Sequence, residues 1–198
     1  MKTVIIATEN KGKIKEFKEL FAEKGIEVQS LLDLSFPDEI EETGSTFEEN
    51  AIIKAAALAD YYQKPVIADD SGLEIDALDG EPGVYSARYA GGAKNDDANM
   101  EKVLENLKGV EESDRTARFV CVIAVVIPGQ NPFTYRGTCE GLIANGKTGT
   151  NGFGYDPIFY LPEYKKTMAQ LLSEEKNRIS HRANAIKQLM TNIDEVIG

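Results

Sequence analysis

The apolar positions of the first thirty residues predict a strand, a helix and a second strand. β-Branched and apolar residues follow one another in KTVIIAT (2–8), as they do in a buried strand. Asn10 is placed to cap a helix from about 11 to 24, where apolar residues recur every three or four positions. The stretch IEVQSL is then a short strand. This start is typical of an α/β protein.

A second helix is predicted after the acidic loop FPDEIEETG. Ser45 and Glu48 form a capping-box pattern, and the helix extends from 46 to about 62 with an apolar face. The short strand PVIAD follows and ends at two adjacent carboxylates, Asp69 and Asp70. Such a pair at a strand end is either a solvated turn with the following glycine or one side of a site that binds a cation.

The remainder of the chain predicts a hairpin between two loops and a largely helical last quarter. Residues 116–127 form a continuous apolar run, whereas apolar and polar residues alternate in 133–143, so the pair reads as a hairpin around PGQNP. Ser173 and Ser180 are placed to cap the last helices. The other predicted elements are a loop at 79–95, a helix at 96–108 and a glycine-rich loop at 145–157.

No repeat or separating linker interrupts the chain, so residues 1–198 are expected to form one α/β domain with a mixed sheet. The chain is 42% hydrophobic and 28% charged, as in globular proteins. Its net charge is −11, which argues against binding to nucleic acids or to anionic membranes. A small phosphate ligand is not excluded, because a few local cations and a metal ion can hold it.

The cysteines and the apolar runs bear on location. Cys121 and Cys139 lack metal-site spacing and are expected to be free buried thiols in a reducing cytoplasm. No stretch of 18 apolar residues predicts a membrane span, and the apolar run in MKTVIIATENKGK is too short for a signal peptide. One histidine in the chain rules out a His-rich metal site.

Lysines at a predicted helix start suggest an anion site in ATENKGK. Lys11, Lys13 and Lys15 stand where the helix dipole favours acids, and Gly12 leaves room for a ligand near free N–H groups. The alternative is a solvated lysine face.

Acids elsewhere suit a hard cation such as Mg²⁺, which uses one or two carboxylates with waters and phosphates. Glu41 with Asp69 or Asp70 would suffice, but charge alone does not choose among Glu39, Glu41 and Glu42. Lys54 falls inside the apolar arc of its helix, where it either extends outward to solvent or points into an anion site.

The stretches NGFGYDPIF and EEKNRISHRANA could together hold a flat ligand. Glycines allow close approach, and Phe153 could stack on a base. Lys176 and Arg182 are donors suited to the carbonyl oxygens of a purine, whereas a lone histidine such as His181 is more often a packing residue.

Five stretches taken together closely resemble the inosine/xanthosine triphosphate pyrophosphatase family. They are ATENKGK, EETGSTFEENAIIKA, ADDSGLEIDALDGEPGVYSARYAG, GTNGFGYDPIF and SEEKNRISHRANA, in the family's order from residue 7 to about 185. The resemblance implies Mg²⁺-dependent cleavage of ITP, dITP and XTP into a nucleoside monophosphate and pyrophosphate. It implies a homodimer and an elongated two-lobed α/β fold, with a long mixed β-sheet flanked by helices and the active site in the cleft between the lobes.

The resemblance also assigns roles to residues of this chain. Asp70 would bind Mg²⁺ and act as the base, with Asp69 in support, Glu41 as a second metal ligand and Lys54 on a phosphate. The residues expected to cradle the triphosphate are Thr8, Glu9, Asn10, Lys11, Gly12 and Lys13, and Ser71 would touch the substrate. Those expected to hold or read the base are Phe153, Gly154, Tyr155, Asp156, Lys176, His181 and Arg182.

Three alternatives remain beside this assignment. One is a related pyrophosphatase of the septum type that acts on modified pyrimidine triphosphates, against which the SHR and FGYDP stretches argue. Another is a module that binds nucleotide without cleaving it, and a third is a generic phosphate-binding scaffold.

Overall fold

A computed structural model of the protein describes residues 2–37, 39–92 and 94–197. Within these ranges the fold is α/β, and no helix there combines the length and apolarity needed to cross a bilayer. The helices are α1 (Lys11–Ala22), α2 (Phe47–Tyr62), α3 (Asp96–Asn106), α4 (Ser173–Ile179) and α5 (His181–Val196).

The strands form one mixed sheet, which confirms the predicted fold class. They are β1 (Lys2–Ile6), β2 (Ile26–Ser30), β3 (Val66–Ile75), β4 (Pro82–Gly83), β5 (Thr116–Val126), β6 (Phe133–Ile143), β7 (Phe159–Leu161) and β8 (Lys166–Thr167). Their order is β2-β1-β3-β5-β6-β7-β8, with β4 beside β3. β1 pairs in parallel with β2 and β3, whereas β4 and β7 make antiparallel pairs.

The chain divides into two compact units. The first combines the chain up to Asp70 with Val122–Tyr135 and the chain from Ile186 onward, and the second combines Ser71–Cys121 with Arg136–Ala185. The prediction of a single domain over 1–198 stays a prediction.

Aliphatic, small and aromatic residues together build the core of the first unit. The buried face of α1 carries Phe17 and Phe21, and that of α2 carries Ala51 and Ala55, whose short side chains let the helix approach its neighbours closely. Asn10 caps α1, as its sequence position predicts.

The core of the second unit gathers aromatic and aliphatic side chains from α3, the strands and the loops. Its largest members include Phe159, fully buried, and Phe119, whose ring centroid lies 4.2 Å from that of Phe159. Cys121 and Cys139 are free and buried, as predicted.

The caps of two helices differ from the prediction. Thr46, not Ser45, caps α2, and its hydroxyl accepts the amide N–H of Glu49 at 3.1 Å. Ser45 instead donates its amide and its hydroxyl to the Glu49 carboxylate, at 2.6 and 2.9 Å. The capping residues are therefore displaced by one position, since STFEE offers two overlapping cap patterns.

The two predicted serine caps near the C-terminus have different outcomes. Ser173 lies inside α4 as its first residue, so its prediction as a cap is wrong. The Ser180 hydroxyl accepts the N–H of Ala183 at 3.1 Å at the start of α5, which confirms the second cap.

Strand β3 is longer than the sequence predicts and passes through the carboxylate pair. It pairs in parallel with β1 at Val66 and Ile67, then antiparallel with β4 at Leu73 and Glu74. The pair is therefore not an Asx turn at a strand end. Asp, Ser and Gly are poor strand formers, so the local sequence favours a turn, and the change of pairing partner overrides that preference.

Candidate active site

The loop before α1 is organised by its own side chains. Oδ1 of Asn10 accepts the N–H groups of Gly12 and Lys13, at 2.9 and 3.1 Å. The Asn10 amide donates to the Thr8 hydroxyl at 3.2 Å. The Asn10 cap therefore takes up two of the N–H groups at the start of α1. The first turn of α1 holds Lys11 and Lys13 and no acid.

Lys13 joins this loop to the carboxylate pair of β3. Its ammonium lies 2.6 Å from Oδ2 of Asp69, whose side chain is only 7% exposed. Lys54, from α2, donates to the backbone carbonyl of Asp69 at 3.1 Å. Two lysines from two helices therefore meet at one residue of the strand.

Glu42 completes this arrangement, which we call the acid–lysine cluster (Lys13, Glu42, Lys54 and Asp69). Oε1 of Glu42 lies 2.5 Å from the ammonium of Lys54, whose side chain is 22% exposed. Lys54 thus points to a charged cluster rather than extending freely into solvent. Glu41, the acid singled out from the sequence, is exposed.

Asn50 holds the acidic segment against the start of α2, a role that sequence reasoning missed. It is 3% exposed, and its Oδ1 accepts the N–H of Gly44 at 2.7 Å. A Cβ on Gly44 would lie 2.6 Å from the Glu49 Cβ, so only glycine fits this approach. The signal for this role in the sequence was an amide residue, Asn50, within the apolar arc of the helix that includes Phe47 and Ala51.

Asp70 is half-buried and directly follows the cluster in β3. Successive side chains of a strand point to opposite faces, so Asp69 and Asp70 play different parts. The Asp69 carboxylate pairs with Lys13, and the Asp70 carboxylate belongs to the opposite face of β3. Ser71, the next residue, is exposed.

The donor set fits one hard cation rather than a preformed metal cage. Among the described residues, no group of three or more His, Cys, Asp or Glu side chains is placed to hold a metal. Mg²⁺ commonly binds through one or two carboxylates and completes its shell with waters and phosphate oxygens. Glu41 and Asp70 are the carboxylates that directly follow or precede the cluster's Glu42 and Asp69 in the chain, and donors of this kind suit that mode.

In the second unit, an exposed aromatic ring is fixed by a buried ion pair. We call residues 151–156 the glycine loop; its Phe153 is 77% exposed. Asp156 is buried, accepts the Phe153 N–H at 3.1 Å and forms an ion pair with Lys176. The Lys176 ammonium also lies 4.8 Å from the Phe153 ring centroid, a cation–π contact.

Gly152 is required by this ion pair. Its φ is +76°, and a Cβ there would lie 1.9 Å from Oδ2 of Asp156. The sequence suggested that the glycines leave room for a ligand, but at this position the space is taken by the protein's own carboxylate. Burial raises the pKa of Asp156, and Lys176 opposes that shift.

His181 and Arg182 open α5, and both are half-buried. The His181 ring stacks on Phe119, with centroids 5.2 Å apart and planes at 27°. One face of the imidazole is therefore used in packing, as predicted for a lone histidine. A hydrogen bond from the edge of the ring is compatible with this contact.

Gly137 and Asn184 set the position of this helix start, and neither was identified from the sequence. A Cβ on Gly137 would lie 2.2 Å from the carbonyl oxygen of His181 and 2.3 Å from the amide nitrogen of Ala185. The Asn184 amide donates to the Thr138 carbonyl at 2.9 Å. The backbone of β6 therefore presses directly on the turn that carries His181 and Arg182.

The structure groups the predicted residues unequally. It brings Lys13, Lys54 and Asp69 into contact in one unit, and Phe153, Asp156 and Lys176 into contact in the other. Glu9 and Lys11, in the loop and first turn that precede Lys13, are exposed.

Comparisons with known proteins identify the family of this chain. The family model of the Ham1 family matches residues 4–192. The chain belongs to the Ham1 family. A relative from Bacillus subtilis named dITP/XTP pyrophosphatase is 60% identical, over 96% of this chain and 96% of its own. One of the same name from Listeria monocytogenes is 58% identical, over 100% of this chain and 97% of its own.

Solved structures give the same family. The Ham1 protein of Staphylococcus aureus has a TM-score of 0.92 at 52% identity, covering 98% of this chain and 99% of its own. A nucleoside-triphosphatase, also named dITP/XTP pyrophosphatase, from Mycobacterium abscessus has a TM-score of 0.84 at 40% identity, covering 94% of this chain and 98% of its own. The family membership inferred from five sequence stretches is therefore confirmed.

Proposed function

We propose that this Ham1 protein is a Mg²⁺-dependent nucleoside triphosphate pyrophosphatase that acts on ITP, dITP and XTP. The products are the nucleoside monophosphate and pyrophosphate. The acid–lysine cluster is the observation that carries the proposal, because two lysines and neighbouring carboxylates suit a triphosphate with its cation. The names of the Bacillus and Listeria relatives support it.

The triphosphate end is assigned to the first unit. Residues 8–13 cradle the phosphates, with Lys13 and Lys54 as the principal positive charges. These ammonium groups offset the charge that builds on the phosphoryl oxygens and on the departing pyrophosphate.

Glu41 and Asp70 are the residues proposed to hold Mg²⁺. The ion, when bound, supplies positive charge at the phosphate oxygens and lowers the pKa of nearby water. Glu42 is tied to Lys54, so the exposed Glu41 is freer than Glu42 to reach a cation, which supports Glu41 as the ligand.

Asp70 is the proposed proton acceptor. Its carboxylate orients a water molecule and takes its proton as the water oxygen bonds to the α-phosphorus. The bond from that phosphorus to the oxygen bridging to the β-phosphate breaks, and pyrophosphate leaves with the electron pair. Asp69 supports this step by fixing Lys13 and Lys54 around β3.

The second unit is assigned to the base and ribose. Phe153 offers a face for stacking, with Gly154, Tyr155 and Asp156 forming the rest of the loop. Lys176, His181 and Arg182 are proposed to read the edge of the purine. A 6-keto group accepts their hydrogen bonds, whereas the 6-amino group of adenine would place donor against donor.

The proposal includes a homodimer and a role in removing deaminated purines from the cytoplasmic nucleotide pool. Bare phosphate binding would make no use of the Phe153 ring, which offers a stacking face beside Lys176.

Pyrophosphate release from ITP, dITP, XTP, GTP and ATP, measured in parallel with Mg²⁺ and with EDTA, tests the proposal. We expect fast release from the first three with Mg²⁺, little from GTP and ATP, and none with EDTA. Binding of ITP without release from any nucleotide would instead identify a non-catalytic nucleotide-binding module.

A further inference from the structure

A carboxylate from outside the glycine loop holds the loop's backbone. The N–H of Gly154 donates to Oδ2 of Asp96 at 2.8 Å, and Asp96 is the first residue of α3. Gly154 has a φ of +61°, a backbone conformation that glycine adopts at little cost. We propose that Asp96 is a positioning residue that keeps the glycine loop, and with it the Phe153 ring, in the form that binds the nucleobase. This inference rests on the proposed function.

Asp96 belongs to a helix, α3, that is capped and packed into the core. Asn95 caps α3, with its Oδ1 accepting the N–H of Ala98 at 3.0 Å. Asp96 lies in the first turn, where the helix dipole stabilises a negative charge. Met100 and Val103 bury the inner face of the same helix in the core of the second unit. The carboxylate that meets Gly154 is therefore attached to a packed element.

A second connection links the same helix to the next loop residue. Asn99 of α3 is 1% exposed, and its Nδ2 donates to the carbonyl oxygen of Ser86 at 3.4 Å. That carbonyl also accepts the hydroxyl of Tyr155 at 2.7 Å. Gly154 and Tyr155, consecutive in the chain, are thus both held by a frame built on α3.

The other end of the loop is tied independently. The backbone N–H of Asn151 donates to the Ala169 carbonyl, and its side-chain amide donates to the Leu171 carbonyl, both at 3.0 Å. Hydrogen bonds therefore hold the loop at Asn151 and at Tyr155. Asp96 holds Gly154, the residue directly after Phe153. The Phe153 ring is 77% exposed, so its position depends on the backbone bonds of the loop and on the cation–π contact with Lys176.

Loss of this hydrogen bond is expected to weaken base binding more than the chemical step. Preordering a loop raises affinity because the ordering cost is met before the ligand arrives. The proposed proton acceptor, Asp70, lies in the first unit, whereas Asp96 and the glycine loop lie in the second. An interaction lost equally in the bound substrate and in the transition state raises KM and leaves kcat unchanged.

Three variants separate the hydrogen bond from helix stability and from charge. Asp96→Ala removes the acceptor, whereas Asp96→Asn keeps an oxygen for the Gly154 N–H but removes the charge. Asp97→Ala is the matched control, because Asp97 occupies the same helix turn, is exposed and pairs with Lys147 at 2.6 Å instead of with the loop. For each variant we would measure KM and kcat for ITP with Mg²⁺, the Kd of inosine monophosphate by calorimetry, and amide hydrogen exchange over 151–156.

We expect Asp96→Ala to raise KM and Kd roughly tenfold, with kcat within about twofold, since a hydrogen bond to a charged group is worth about one such factor or more. Exchange over the loop becomes faster in that variant. Asp96→Asn stays within about threefold of the parent because the acceptor is retained. Asp97→Ala matches the parent in all of these measurements.

Parent-like KM, Kd and exchange in Asp96→Ala would overturn the inference. So would an equal fall of kcat and of melting temperature in Asp96→Ala and Asp97→Ala, since that result means that Asp96 merely stabilises α3. A parent protein that cleaves no nucleotide refutes the proposed function separately. In that case the exchange rates and the Kd of inosine monophosphate still show whether Asp96 holds the glycine loop in place.

Discussion

The ammonium of Lys13 lies 2.6 Å from Oδ2 of Asp69, and this contact ties the first turn of α1 to β3. The Asp69 side chain is 7% exposed, so its charge depends on nearby donors for stabilisation. The same lysine is proposed to face the triphosphate. Its removal is therefore predicted to affect both stability and nucleotide binding.

Replacing Lys13 by Ala is expected to lower kcat/KM for ITP by about 10²-fold, since a charge-assisted phosphate contact is lost. The free energy of unfolding falls by about 1–3 kcal/mol because a buried carboxylate loses an ion partner. Urea unfolding and initial rates measure the two effects. Lys15→Ala is the control: this lysine is 78% exposed, lies on the same helix and should leave both values nearly unchanged. Equal behaviour of the two variants would contradict the assignment.

Asp70→Asn tests the proposed proton acceptor. We expect kcat for ITP to fall by about 10²–10⁴-fold, because an amide neither accepts the proton of water nor binds a cation as well. Asp60→Asn, at an exposed position of α2, removes the same charge and should keep normal turnover. Near-normal turnover in Asp70→Asn would remove Asp70 from the mechanism.

Arg182→Ala addresses the choice of base. The ratio of kcat/KM for ITP to that for ATP is expected to fall about tenfold or more, since the donor that distinguishes a 6-keto group is gone. Arg178→Ala, on an exposed part of α4, serves as the charge-matched control. A ratio that is the same in Arg182→Ala and in the parent would show that selectivity arises elsewhere.

Gly137→Ala tests the close approach of β6 to α5. The added Cβ would meet the backbone at 2.2 Å, and backbone atoms cannot swing aside as a flexible side chain can. We expect a loss of about 1–3 kcal/mol in unfolding free energy, measured in urea. Gly146→Ala is the control, since a Cβ there meets no atom within 4 Å. Matching stabilities for the two variants would mean that the helix start adjusts freely.

Acid should weaken the folded state through Asp76. Hydrogen bonds from Arg118 and then from Thr116 lower the pKa of this carboxyl, and the Arg118 contact is bidentate at 2.9 Å. A carboxyl whose pKa is lower in the folded state adds stability above its unfolded pKa and loses that contribution as pH falls through its folded pKa. Urea midpoints should therefore drop below about pH 4, and less steeply in Asp76→Asn.

Asp79→Asn controls for the loss of one negative charge near Asp76. It should retain the parent's slope of stability against pH. If Asp76→Asn and the parent show the same slope between pH 6 and pH 3, the Arg118 contact does not contribute to acid stability.

Local pattern predicted much of the fold because its determinants are close in sequence. Asn10 caps the helix that follows it, and Ser180 caps the helix that starts at His181. Where two patterns overlapped, as at Ser45 and Thr46, composition could not choose between them.

Contacts between distant residues were not predictable in the same way. Lys54 pairs with Glu42 rather than with Glu41, and this pairing depends on the path of the loop before α2. Asp96 and Gly154 are separated by 58 positions, and no periodicity links them. The lysines and acids near Asp69 could be grouped from the sequence only through the family resemblance. The roles of Glu41, Asp70 and the base-reading residues remain predictions.

The exposed ring of Phe153 has a thermodynamic consequence. In the free protein this ring is 77% accessible to water, and its loop is held by hydrogen bonds of the Phe153 and Gly154 backbone N–H groups. A purine that stacks on it removes apolar surface of both partners from water, so binding should carry a negative heat-capacity change. The enthalpy of nucleotide binding would then become more favourable as temperature rises, and Phe153→Ala would flatten that dependence.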